Sequence, residues 1–300
     1  MKKNKGSNEM KVGTRGSKLA LTQTKQTCQD IANITGEKIE VDIIKTKGDK
    51  ITDSQLYNMD SKGLFTKELD KAVLEEEVDF AVHSLKDVPT ELDEELQITA
   101  VPRRIKANEV FISSMNWNDL EEGSSLGSSS LRREAFCKYH NKRFKFKPLR
   151  GNVETRIQKV LDGEVDGTLM AEAGLIRLGL TKYIKEEFPI DYITPAAGQG
   201  ALAVISRKDS KQVNETLKKI DDYTTHQTVL AEKTVLYELG IGCQWPLGSY
   251  GQLNNENKLE LYSVLLNEKG EILHKTTTTG SIKSAKELGI KVGKELIEYI

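Results

Sequence analysis

Ala81-Val82-His83-Ser84-Leu85-Lys86-Asp87-Val88-Pro89 decides how the rest of the 300-residue chain is read. Asp79 to His83 alternates and is apolar enough for a buried strand, and Pro89 stops any regular element soon after it. Lys86 and Asp87 therefore stand at the mouth of a strand, the end of an open α/β sheet where ligands bind. A Lys-Asp dipeptide taken alone is an ordinary surface ion pair of little energetic weight. Two features elsewhere raise it above that: arginines recur in Gly/Ser-rich turns, and Cys243 stands in a glycine/proline loop.

Upstream, Lys11 to Thr14 reads as a short strand entering Thr14-Arg15-Gly16-Ser17, with Ser17 placed to cap a helix reaching about Ile34. Such an entry aims backbone N–H groups and a helix N-terminus at what lies ahead, which favours an anion. Arg15 either serves that anion or merely covers the turn. Lys38 to Lys45 is a strand by its β-branched alternation, and Thr46 to Ser61 is a long polar loop. Lys62-Gly63-Leu64-Phe65 leads into a helix with Phe65, Leu69, Ala72 and Val73 on one face. The first hundred residues thus read βαβαβ, and His83 is read as a structural histidine.

Downstream, Gln97 to Val101 is a strand, and Pro102-Arg103-Arg104 crosses to a second set of elements beginning at Val110. Leu126-Gly127-Ser128-Ser129-Ser130-Leu131-Arg132-Arg133 repeats the design of strand end, small-residue turn and helix start. Its hydroxyls and amides are neutral donors, while Arg132 and Arg133 are planar forks suited to carboxylate or phosphate. Leu149-Arg150-Gly151-Asn152-Val153-Glu154-Thr155-Arg156 follows the same plan after a strand at Phe144 to Pro148, with Asn152 placed to cap. Gly167 to Ala171 and Ala173 to Leu178 add a strand and a helix, with Arg177 near the helix end. Pro195 to Ala201, which holds Gln199, crosses to Leu202–Ile205, a run able to return as a strand to the first block. Two α/β blocks joined by two crossings make a hinged cleft. From about Thr225 the pattern becomes helix, three alternating strands (249–253, 258–266, 271–279) and a helix over 284–299. That is an α+β domain with Cys243 at its entrance.

Composition narrows the function. The chain is 37% hydrophobic and 30% charged, with a formal net charge of −1, so bulk electrostatics disfavour non-specific nucleic-acid binding. No stretch has the apolar length of a membrane span, and residues 1–9 lack an apolar signal core, so a cytoplasmic protein is expected. Cys28, Cys137 and Cys243 show neither metal-ligand spacing nor a disulfide framework, and the four histidines are scattered, so no metal site is expected. Residues 132–150 hold eight Lys/Arg and one acid. Phe144 and Phe146 alternate there with Arg143, Lys145 and Lys147, which reads as a core face with a solvated back rather than a nucleic-acid surface.

Taken in order, Thr14 to Ser17, Lys62 to Phe65, Ala81 to Pro89, Ser128 to Arg133, Leu149 to Arg156, Ala197 to Ala201 and Gly242-Cys243 resemble the porphobilinogen deaminases over nearly the whole chain. The resemblance implies two periplasmic-binding-protein-like α/β lobes plus a C-terminal α+β domain. Their expected extents are 10–103 with 201–221, then 104–200, then 222–300. It implies a transferase that joins four porphobilinogen molecules head to tail with release of ammonia, on a dipyrromethane cofactor tethered to Cys243 by a thioether. By the same resemblance Asp87 is the catalytic carboxylate. Lys86, Ser129, Arg132, Arg133, Arg156, Ser17 and Lys62 bind the cofactor, and Arg15, Arg150, Arg177 and Gln199 bind substrate. The implied protein is a monomer without nucleic-acid or membrane partners. Lys18, Asn58, Asp60, Ser61 and Glu154 depart from the usual family pattern. The alternative, a non-enzymatic two-lobed anion-binding protein, offers no use for Cys243.

Overall fold

The computed structural model describes residues 9–46, 66–240 and 245–300. The first block runs β1 (Met10–Thr14), α1 (Lys18–Thr35), β2 (Ile39–Ile43), α2 (Lys67–Leu74), β3 (Phe80–Ser84) and β4 (Leu96–Ala100). The second runs β5 (Glu109–Ser113), β6 (Ser125–Gly127), α3 (Leu131–Tyr139), β7 (Lys145–Lys147), α4 (Val153–Leu161), β8 (Gly167–Ala171), α5 (Glu172–Leu178) and β9 (Glu186–Glu187). The chain then returns through β10 (Leu202–Arg207) and α6 (Lys211–Leu217), and continues as α7 (Tyr223–Glu238). It ends in β11 (Leu247–Leu253), β12 (Leu259–Leu266), β13 (Ile272–Gly280) and α8 (Ala285–Ile297).

These strands form three sheets, ordered β2-β1-β3-β10-β4, β7-β6-β8-β5-β9 and β11-β12-β13. In the first, β1 is parallel to β2 and β3, while β10 runs antiparallel to both β3 and β4. The second repeats the plan, with β5 antiparallel to β8 and β9. The reversed strand in each lobe is the one attached to a crossing between lobes. The expected return of residues 202–205 to the first block is therefore found, with Leu202 opposite Ser84 and Val204 opposite Val82.

The central strand β3 is apolar on both faces because both are covered. Phe80 and Val82 join Val12, Ile31 and Val204 on one side, and Ala81 joins Leu69, Val73 and Ile205 on the other. The second lobe is centred on Trp117, edge-on to Phe111, Phe144 and Phe188 at centroid distances of 5.1, 5.3 and 5.0 Å. Strand β12 sends Leu259, Leu261 and Leu265 toward α7 and α8, while Val264 and Leu266 enter the core of the second lobe. The α+β domain is thereby fastened to that lobe by apolar contact.

Local sequence signals explain most boundaries. Ser17 accepts a hydrogen bond from the Ala20 N–H at 3.2 Å and so starts α1. Phe144 is buried and Phe146 half-buried while Arg143, Lys145 and Lys147 are exposed, as the alternation requires. Asn152 holds the N-cap position of α4, but its side chain makes no cap hydrogen bond. The turn is instead secured by Arg156, whose Nε donates to the Gly151 carbonyl at 2.9 Å. Lys62, Phe65, Asn58, Asp60, Ser61 and Cys243 lie outside the described residues.

Candidate functional site

Strand β3 runs directly into a single 3₁₀ turn, Leu85–Asp87. Leu85 is buried, Lys86 is half-buried and Asp87 is exposed. The turn rests on the second crossing: the Leu85 N–H donates to the Ala201 carbonyl at 3.0 Å. Gly198 has φ 76° and lies so close that a β-carbon there would sit 2.2 Å from Leu85 Cδ2. Only glycine meets both the left-handed conformation and the contact.

Gln199 links this turn to the second lobe. Its oxygen accepts from Lys86 Nζ at 3.4 Å, and its nitrogen donates to the Ala107 carbonyl at 2.8 Å and to Glu109 Oε1 at 3.1 Å. Glu109 has no solvent exposure. Arg132 Nη2 donates to Oε1, while Arg133 Nε and Nη2 lie 3.0 and 2.9 Å from Oε2. Burial alone would raise the Glu109 pKa, but Arg133, Arg132 and Lys86 outweigh it and hold the carboxyl well below the usual range. Burial pushes Lys86 below the ordinary ammonium range, which Asp87 opposes and Arg133 reinforces.

Arg156 of α4 is close enough to Arg133 and Asp87 to interact with this cluster electrostatically. Burial, then Arg133 and Arg150, bring its pKa down to about 10, with Asp87 acting in the opposite sense. Cations that depress one another are held together at a cost that an anionic ligand removes. The donor set therefore fits a group carrying several carboxylates, and bidentate arginines are suited to such groups.

The other expected residues divide. Arg132 also donates to the Thr194 carbonyl at 2.6 Å, so its guanidinium braces the second crossing. Gln199 has zero exposure, and its carboxamide is engaged by Lys86, Glu109 and backbone. Arg177 donates to the Gly200 carbonyl at 2.9 Å, and burial brings its pKa to about 10. Ser129 is exposed, whereas its neighbour Ser130 caps α3 by accepting from the Arg133 N–H. The Ser17 hydroxyl is likewise a cap, and Arg15 lies close enough to bias His83 electrostatically.

A second ion pair lies against both crossings. Arg104, on the first crossing, meets Glu232 of α7, with Nη1–Oε1 at 2.6 Å, and its Nε donates to the Gln199 carbonyl at 2.7 Å. Glu232 also accepts from the Gly198 N–H at 2.6 Å and the Gly251 N–H at 2.8 Å. Close by, β11 meets the second crossing at Gly248, where a β-carbon would lie 2.5 Å from Thr194 Cβ. Glu109, Arg104 and Glu232 were not singled out from sequence. A carboxylate opening the apolar run Val110-Phe111-Ile112, and another, Glu232, set between Val229-Leu230-Ala231 and Lys233-Thr234-Val235, were the available signals, since a buried charge requires a partner.

The architecture is that of a two-lobed α/β protein with an appended α+β domain and a cation-lined site where the crossings join the lobes. Residues 10–215 match the family model described as porphobilinogen deaminase, dipyromethane cofactor binding domain, and residues 226–298 match the porphobilinogen deaminase C-terminal domain. A protein of Methanothermobacter thermautotrophicus named as a probable porphobilinogen deaminase is 58% identical, over 97% of this chain and 100% of that one. The porphobilinogen deaminase of Brevibacillus brevis is 39% identical, over 96% and 93%. Among solved structures, the methionine-binding protein MetQ aligns with 74% of this chain and 91% of its own at 10% identity and a TM-score of 0.46. The chain belongs to the porphobilinogen deaminase family, and its first 10–215 residues carry that family's dipyrromethane-binding domain.

Proposed function

We propose that the chain is a transferase that condenses four porphobilinogen molecules head to tail into hydroxymethylbilane, releasing one ammonia per addition, with Asp87 as the catalytic carboxylate and Cys243 as the attachment point of dipyrromethane. The observation that carries this assignment is the meeting, through Gln199, of Lys86 and the adjacent Asp87 with the Glu109-Arg132-Arg133 group of the other lobe. When bound, dipyrromethane supplies the nucleophilic pyrrole carbon on which the chain is extended.

The residues account for the rest of the chemistry. Each porphobilinogen brings an acetate and a propionate, so the site accumulates negative charge as the product lengthens. Lys86, Arg133, Arg150 and Arg156 meet that charge, and Arg15, Ser17, Ser129 and Lys62 complete the anion-binding surface. Arg132, Arg177 and Gln199 contribute by holding the crossings against which the ligands rest. As ammonia leaves a substrate, its methylene carbon becomes electron-deficient and positive charge spreads into the pyrrole ring. The Asp87 carboxylate accepts hydrogen bonds from the pyrrole N–H and stabilises that charge, and it takes up the ring proton released afterwards. A thiol at Cys243 is a good nucleophile toward the same carbon electrophile, and the thioether formed resists hydrolysis.

Strand β11 begins at Leu247, a few residues beyond Cys243, and packs at Gly248 on Thr194, whose carbonyl binds Arg132. This supports an attachment point on the hinge side of the α+β domain. The three sheets support domains at 10–103 with 201–221, at 104–200 and at 222–300. We place the protein in the cytoplasm as a monomer, a state that light scattering of the purified protein checks.

Intact-protein mass spectrometry tests the attachment. The wild-type protein should carry an adduct of dipyrromethane mass that Cys243→Ser lacks; a fully active, unmodified wild type would overturn the assignment.

A further inference from the structure

Lys18 opens α1 in the first lobe, and Glu154 lies in the first turn of α4 in the second; Lys18 Nζ and Glu154 Oε1 are 3.2 Å apart. Their sequence neighbours meet alongside. A β-carbon built on Gly174 of α5 would lie 3.8 Å from Leu19 Cδ2 and 3.7 Å from Val153 Cγ2. Leu19 and Val153 thus both pack on Gly174 beside the Lys18–Glu154 pair, so the lobes meet here through an apolar part and an ionic part. The contact stands beside both anion-binding turns, since Ser17 precedes Lys18 while Arg150 and Arg156 flank Glu154.

We propose that Lys18 and Glu154 are positioning residues, whose ion pair sets how closely the two anion-binding helix starts approach while the tetrapyrrole grows. The inference rests on the reaction proposed above. The side chains are 66% and 35% exposed, so the pair is weak and screened by salt. Weakness suits the role: a contact that must part and re-form as the bound chain lengthens cannot be as costly to break as the buried Arg104–Glu232 pair. The pair has a second effect. Glu154 places a negative charge among groups that receive carboxylates, and Lys18 neutralises it.

Charge reversal separates these effects. In Lys18→Glu two carboxylates face each other beside the site, which pushes the lobes apart and repels substrate; KM should rise and kcat/KM fall three- to tenfold. In Glu154→Lys two ammonium groups face each other, which pushes the lobes apart yet attracts substrate; kcat should fall while KM stays level or drops. The double exchange, Lys18→Glu with Glu154→Lys, rebuilds the pair and should recover kcat/KM to within about twofold of wild type. In 1 M salt the differences should shrink below about twofold, as screening at that ionic strength requires. Small-angle X-ray scattering of the same purified proteins reads closure directly: both single variants should have a larger radius of gyration than wild type, and the double exchange should not. Single variants that scatter as wild type does, or a double exchange as open as they are, would overturn the positioning role. A wild type that makes no tetrapyrrole would overturn the reaction instead, and the scattering comparison would still judge the pair.

Discussion

Arg104 holds Glu232 with both arms of its guanidinium, Nη1–Oε1 at 2.6 Å and Nη2–Oε2 at 3.2 Å, and Glu232 is wholly buried. One pair therefore ties the first crossing to α7, and through the N–H groups of Gly198 and Gly251 it reaches the second crossing and β11. Removing one partner strands the other charge away from water. Arg104→Leu and Glu232→Leu should each lower stability by about 3–5 kcal/mol, as read by urea unfolding. A loss under about 1 kcal/mol, the range of exposed pairs, would contradict this reading.

Gly198 gives a sharper local test. Its φ is 76°, and a β-carbon there would meet Leu85 Cδ2 at 2.2 Å and the Lys86 backbone nitrogen at 3.2 Å. Gly198→Ala should displace the Leu85–Asp87 turn, cost about 1–3 kcal/mol, and reduce turnover at least tenfold. Gly36 is the control: its φ is 74°, but nothing lies within 4 Å of the β-carbon it would carry. Gly36→Ala should cost only about 1–2 kcal/mol of backbone strain and leave turnover intact in the same assay.

Asp87 is exposed, so its loss removes little packing. Asp87→Asn should unfold at the wild-type midpoint while turnover falls by about 10²–10³, the scale for one electrostatic contact in a transition state. Rapid-quench measurement of the first condensation checks this; turnover within about threefold of wild type would remove Asp87 from the chemistry.

His83 supplies a pH dependence. Burial, then the neighbouring charge of Arg15, lowers its pKa from 6.5 to about 4. The unfolded chain consequently binds a proton between pH 6.5 and 4 that the folded protein refuses, so stability falls as pH falls through that window. From pH 7 to 5 the contribution is about 2 kcal/mol. His83→Gln should remove this part of the pH dependence, seen as a flatter plot of unfolding free energy against pH. Equal slopes for the two proteins would show that His83 titrates normally when folded.

The parts of the fold legible in sequence are those set by neighbours along the chain. Phe80-Ala81-Val82 is an apolar run, Pro89 closes the turn, and Ser17 supplies its own cap, so strand, turn and helix could each be placed. The return of residues 202–205 was legible for the same reason, since a buried apolar run needs a sheet to enter. Partners far apart in sequence were not: Glu109 finds Arg132 and Arg133, and Arg104 finds Glu232, only after the crossings have formed. Arg132 and Gln199 illustrate the consequence. Their residue types suit a ligand, and their side chains also bond within the protein, Arg132 to Thr194 and Glu109, and Gln199 to Lys86, Glu109 and the Ala107 carbonyl. Lys18 and Glu154, read separately as departures from a family pattern, are across from each other in space.

The reversed strand β10 also orders events in time. β3 and β4 have no neighbour on their shared side until residues 202–207 have left the ribosome, whereas every strand of the second sheet is present once residue 187 has emerged. The inserted lobe can thus be finished while the lobe that encloses it in sequence still exposes two open strand edges. During synthesis those edges, rather than the Leu85–Asp87 turn, are open to pairing with another chain.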